Sequence, residues 1–142
     1  MLQAYPVILT HDDDAVIAEF PDVPEAITHG ADEKSALEWA QDALVVALSG
    51  YLEDHRDIPQ PSKPKRGQSV VALPPMVGTK LAIYQALRDQ GVTQLELAER
   101  LNCDARQIRR ILDLDHSSRL DQLEASLRAL GKKLSVDIQD AA

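Results

Sequence analysis

Thr93 to Leu112 reads TQLELAERLNCDARQIRRIL, and no other stretch restricts the chain's architecture so much. Thr93 and Glu96 have the spacing of a capping box, in which side chains satisfy orphan backbone N–H groups at a helix start. Leu95, Ala98 and Leu101 follow at three-residue steps and predict an apolar stripe on one helical face. Asn102 and Cys103 interrupt the pattern, and Asp104 with Gln107 restarts it as a second capping box. Ile108, Ile111 and Leu112 give the second helix a buried side, leaving Arg106, Gln107, Arg109 and Arg110 outside. Such a face suits the major groove of DNA, where arginine can clamp guanine and glutamine can clamp adenine with paired hydrogen bonds. Two capped helices with solvated arginines would also fit an ordinary helical hairpin. The Gln94–Ala98 step, the short turn and the basic second helix together favour DNA.

The motif resembles the helix-turn-helix of phage-repressor-like regulators of the Cro and CI type. That resemblance implies a phosphate contact for Gln94 and base-edge contacts for Arg106, Gln107 and Arg110. Arg109 fits either role. Ala105 stands where that family often has a polar reader, which implies a smaller contact such as a thymine methyl.

Net charge is −8, an odd value for a DNA binder until the chain is divided. Residues 1–75 carry 13 Asp and Glu against 5 Lys and Arg, whereas residues 76–142 carry 10 of each. All the net negative charge therefore lies in the first part, which repels phosphate and steers basic proteins inward, although acidity also serves solubility alone. The apolar fraction of 44% supports packed cores rather than a disordered chain. A single cysteine, Cys103, excludes an intrachain disulfide and fits a reducing cytoplasm. No apolar run approaches a membrane span and no secretion signal opens the chain, so a soluble, cytoplasmic protein is expected.

The first part reads as β-β-β-α-β. Residues 3–10 and 15–20 are strand-like, with His11, Asp12, Asp13 and Asp14 as the loop between them. Consecutive aspartates on a loop tip rarely converge on one ion, so a solvated turn is expected and no metal. Residues 26–29 read as a third strand, and Asp32 to Glu53 as an amphipathic helix with Trp39 in its core. A proline-rich basic loop, residues 60–67, leads to a fourth strand at 69–73. The second part predicts a helix capped by Thr79 and running to Gln90, then the two short helices, then a helix from Arg119 to Leu130. At the end, Leu134, Val136 and Ile138 alternate with polar neighbours as a half-buried strand. A lone strand needs a partner, and the same strand of a second copy would provide one, giving a two-fold homodimer.

The run from Phe20-Pro21-Asp22 through Gly30 and the alanine-rich helix to Ile58-Pro59 resembles the N-terminal domain of HicB antitoxins. Together with the C-terminal motif the likeness spans nearly the whole chain; Glu25-Ala26 departs from it, where Gly-Cys is usual. It implies an α+β protein: a partial ribonuclease-H-like domain at 1–75 without catalytic acids, and an all-α helix-turn-helix domain at 76–142 ending in the dimerisation strand. It also implies two partners, a small basic RNA-cleaving HicA-type toxin and operator DNA, and a dimer that could assemble further. No cofactor is expected. For the toxin, Asp12, Asp13, Asp14, Glu19 and Asp22 are the candidate acidic contacts. A regulator with a non-toxin sensor domain is the alternative, and a metal-dependent nuclease is disfavoured because the carboxylates and the scattered histidines show no convergent spacing.

Overall fold

The computed structural model describes residues 4–141. Four strands, β1 (Ala4–Asp12), β2 (Ala15–Glu19), β3 (Ile27–Gly30) and β4 (Ser69–Ala72), form one antiparallel sheet in the order β3-β2-β1-β4. Gln3, the first residue of the expected first strand, lies outside the described residues. The β1–β2 connection is tighter than the expected loop. His11 pairs with Val16 and Asp12 with Ala15, leaving only Asp13-Asp14 as the turn. Asp13 takes φ 51°, a left-handed conformation that aspartate tolerates better than most residues.

Helix α1 (Glu33–Glu53) crosses one face of the sheet. Asp32 caps it, accepting from the Ser35 N–H at 2.8 Å, while the Ser35 hydroxyl accepts from the Asp32 N–H. Its buried row is Ala36, Ala40, Leu44, Leu48 and Tyr51, packed on Tyr5, Val7, Val16, Ala18 and Phe20. Trp39 is not in the core as expected but 58% exposed. The row that meets the sheet begins with the small residues Ala36 and Ala40, which allow close approach, and this turns Trp39 outward with Val46. Gly30 lies directly beneath the helix start, where an added Cβ would collide with the Ala36 nitrogen and the Ser35 side chain.

After β4 come α2 (Pro75–Gln90), α3 (Gln94–Leu101), α4 (Ala105–Ile111) and α5 (Leu120–Ala129). Helix α2 starts a full turn earlier than Thr79, because Pro75 fits the first helical turn, where its missing N–H is not needed. The Thr79 hydroxyl instead donates to the Pro75 carbonyl at 2.7 Å. Gly91 ends the helix in the left-handed conformation expected of a C-cap glycine.

Helix α2 belongs to both cores. Val77, Leu81 and Tyr84 complete the sheet–α1 core, and Ile83, Ala86 and Leu87 pack with Leu97, Ile108, Leu123 and Leu127 of α3, α4 and α5. Residues 132–141 run on without helix or strand in the single chain, so the expected terminal strand is not formed there. Leu134 rests against the second core, whereas Val136 and Ile138 are exposed.

Candidate functional site

Helices α3 and α4 are joined by the three residues Asn102, Cys103 and Asp104. Asn102 takes the left-handed conformation that ends α3. The two starts are capped from one side: Thr93 Oγ1 accepts from the Glu96 N–H at 3.1 Å, and Asp104 Oδ1 accepts from the Gln107 N–H at 3.0 Å. The reciprocal halves of the expected capping boxes are absent among the described hydrogen bonds. In α3 the buried face is set by Leu97 and Ala98, with Leu101 half-buried; Leu95, expected inside, is 63% exposed. Ile108 and Ile111 of α4 are buried as their spacing requires. Leu112 is only half-buried. Burying an isoleucine fully is worth about 1.5–3 kcal/mol, enough to orient a helix of two turns.

The opposite face of α4 presents Arg106, Gln107, Arg109 and Arg110 to solvent, with Ala105 half-buried at its start. Among the described residues, the ion-paired arginines are Arg56, Arg88, Arg119 and Arg128, and none is on α4. Three cations are thus held on one short helix without protein counter-ions. Gln94, the first residue of α3, and Arg109 line one groove of about 330 Å³, whose walls include Glu53 and His55 from the end of α1 and Asp113 and Asp115 beyond α4.

Lys80, in the first half of α2, fixes the far end of α4. It is fully buried, and its ammonium donates to three carbonyls, those of Arg110 at 2.9 Å, Asp113 at 2.7 Å and His116 at 2.6 Å. The Arg110 carbonyl lies in the last turn of α4 and those of Asp113 and His116 in the loop behind it; the first two also accept backbone N–H groups, from Asp113 and His116. Burial lowers the Lys80 pKa, and the nearby Asp113 carboxylate partly offsets this.

The candidate toxin contacts separate into three environments. Asp12 and Glu19 lie on strands, on the sheet face away from α1, since Asp12 pairs with Ala15 and Glu19 with Ile8 in a register whose opposite residues share a face. Asp13 and Asp14 form the exposed hairpin tip. The Asp22 carboxylate accepts from both the N–H and the hydroxyl of Ser62, at 2.9 and 3.0 Å, and so anchors the proline-rich loop. Among the described residues, no three His, Cys, Asp or Glu side chains gather in a way that could hold a metal ion.

The Glu25-Ala26 pair has a clear structural role. Ala26 is buried, and Glu25 accepts from the Tyr51 hydroxyl at 2.8 Å and from Arg56 at 3.1 Å. The Arg56 guanidinium also stacks over the Tyr51 ring, 4.0 Å from its centroid. The hydrogen bond from Tyr51, reinforced by backbone and Arg56, holds the Glu25 carboxyl below its ordinary pKa. Tyr5 donates to the Pro59 carbonyl at 2.7 Å and Tyr84 to that of Arg56 at 2.8 Å, which pins the segment around buried Ile58.

Residues 4–82 match the family described as HicB-like antitoxin of bacterial toxin-antitoxin systems. Antitoxin HicB 2 of Photorhabdus laumondii is 39% identical, over 93% of this chain and 94% of its own length. Antitoxin HicB of Escherichia coli K12 is 35% identical over 93% of this chain and 96% of its own, and antitoxin HicB of Pseudomonas fluorescens is 31% identical over 84% and 83%. With a family match over more than half its residues and relatives similar from end to end, the chain belongs to the HicB-like family of antitoxins of bacterial toxin–antitoxin systems.

Proposed function

We propose that this antitoxin neutralises a HicA-type RNA-cleaving toxin through residues 1–75 and represses its own operon through residues 76–142. In this reading the first unit is a partial ribonuclease-H-like domain used as a binding surface, and α3, the turn and α4 are a helix-turn-helix. Neutralisation of this kind requires only an interface that denies RNA access to the toxin; the antitoxin performs no chemistry itself. Arg106, Gln107 and Arg110 meet base edges, and Ala105 fits beside a thymine methyl. Gln94 takes the phosphate backbone, and Arg109, which lines the same groove, fits either role. The observation that carries the DNA half is the exposed, unpaired arginine face of α4 on a helix fixed at both ends, by Asp104 and by Lys80.

A homodimer places two such helices on two half-sites about one DNA turn apart. Val136 and Ile138 are exposed and Leu134 is already seated on the core, which supports the C-terminal segment as the two-fold contact. No helix among the described residues is long and apolar enough to cross a membrane.

Fluorescence anisotropy with the chain's own promoter and with random DNA of equal length, over a range of salt, tests the DNA half. Tighter binding to the promoter at every salt concentration supports it; equal binding to both would leave only non-specific attraction. Ultracentrifugation of a chain lacking residues 132–142 tests the dimer contact: a monomer mass is expected, and an unchanged dimer mass would defeat it.

A further inference from the structure

The sheet face away from α1 is open and unusually apolar. An antiparallel sheet with one solvated face ordinarily shows polar residues there. Here Ile8 is 40% exposed, Ile27 58% and Val70 51%, with Ile17 half-buried between them. The register aligns Ile8, Glu19 and Ile27 across β1, β2 and β3, so that a carboxylate stands between two isoleucines. Ile17 and Ile27 also line a shallow, mostly apolar depression of about 380 Å³. Glu19 takes part in none of the ion pairs among the described residues. The titratable strand residues on this face are Asp12, Glu19 and His29, with no lysine or arginine.

We propose that this face, centred on Glu19 with Ile8, Ile17 and Ile27, is where the antitoxin docks the basic surface of its toxin. The assignment rests on the neutralisation reading given above. Covering the isoleucines necessarily takes water from Glu19, and an unpaired buried carboxylate is costly. The occupant must therefore bring a cation to it. A second copy of this chain is the poorer fit: apposing two such faces about a two-fold axis would bury the Asp12 and Glu19 carboxylates against a face whose strand residues offer His29 but no Lys or Arg. A protein that binds RNA carries such cations, and an apolar patch surrounding one charge is the pattern of a binding hot spot. Coverage of the cations would simultaneously deny them to phosphate.

The test is calorimetric titration of full-length chains with the HicA-type toxin of the same operon, in a variant that no longer cleaves RNA. Glu19→Lys and Ile27→Asp, both at exposed positions, are expected to weaken binding by about tenfold or more, and the milder Ile27→Ser by less. Circular dichroism should show the variants folded. Trp39→Ala, on the other side of the unit, is expected to leave binding unchanged. Unaltered affinity in Glu19→Lys and Ile27→Asp would overturn the assignment while leaving neutralisation intact, as would loss confined to Trp39→Ala. A fall in oligomer mass with unaltered toxin affinity would give the face to a second copy and overturn it too. If the wild-type chain does not bind the toxin, the neutralisation reading fails and the docking face fails with it.

Discussion

The Lys80 ammonium donates a 2.9 Å hydrogen bond to the carbonyl of Arg110, joining the helix shared by both cores to the last turn of the arginine-bearing helix. The same ammonium reaches Asp113 and His116, so one buried charge organises the end of α4 and the loop behind it. Lys80→Met keeps the aliphatic stem but removes the ammonium's three hydrogen bonds, leaving the Arg110 and Asp113 carbonyls only their backbone donors. Losing such bonds costs about 1–3 kcal/mol, readable as a lower urea midpoint. Operator affinity should fall as well, since α4 loses one of its two fixed ends. An unchanged midpoint would mean that water replaces the ammonium without loss.

Arg110→Ala tests the other side of the same residue, because the carbonyl that Lys80 holds is retained. Operator binding should weaken by about 1–3 kcal/mol, and base preference should relax, if the guanidinium makes a paired contact to a base. Equal losses on operator and random DNA would instead reduce Arg110 to a phosphate contact.

Gly30 should not accept even a methyl group. The atoms in its way include the backbone nitrogen of Ala36, inside the first turn of α1, which cannot swing aside as a flexible side chain would. Gly30→Ala is expected to destabilise the fold by about 1–3 kcal/mol, the usual penalty for overpacking. A thermal midpoint equal to that of the wild type would show that the helix start yields.

Glu25 gives the fold a pH dependence of known sign. Its pKa is lowered from 4.5 in the folded state, chiefly by the Tyr51 hydrogen bond. The unfolded chain therefore binds the proton more readily, and the contribution is present above pH 4.5 and lost as pH falls through the lower, folded value. Asp32, lowered from 3.8 by its hydrogen bonds from Ser35, behaves alike. Glu25→Gln should narrow the stability gap between neutral and acidic solution, measured by urea unfolding at both. An identical gap would remove Glu25 from the acid response.

Much of this was legible in the residues, for identifiable reasons. Strand-forming composition and helical spacing locate every strand and helix up to α5, apart from the start of α2, whereas the one strand read from alternation, at the C-terminal end, is not formed in the single chain. The short α3–turn–α4 unit and its arginine face followed from Thr93, Asp104 and the paired isoleucines. Trp39 and Leu95 are exposed because size and apolarity do not by themselves imply burial; the small residues Ala36 and Ala98 mark the contact faces. Lys80 was illegible: nothing in a helical pattern distinguishes a solvated lysine from one aimed at carbonyls 30 to 36 residues away. The open face around Glu19 needed the register, which aligns three strands that periodicity treats separately.

The most direct measurement is RNA cleavage by the HicA-type toxin of the same operon, with the full-length chain added in increasing amounts. The account predicts that cleavage stops when chain and toxin reach stoichiometric equivalence, with the two recovered as one complex. Undiminished cleavage at a molar excess of chain would contradict it.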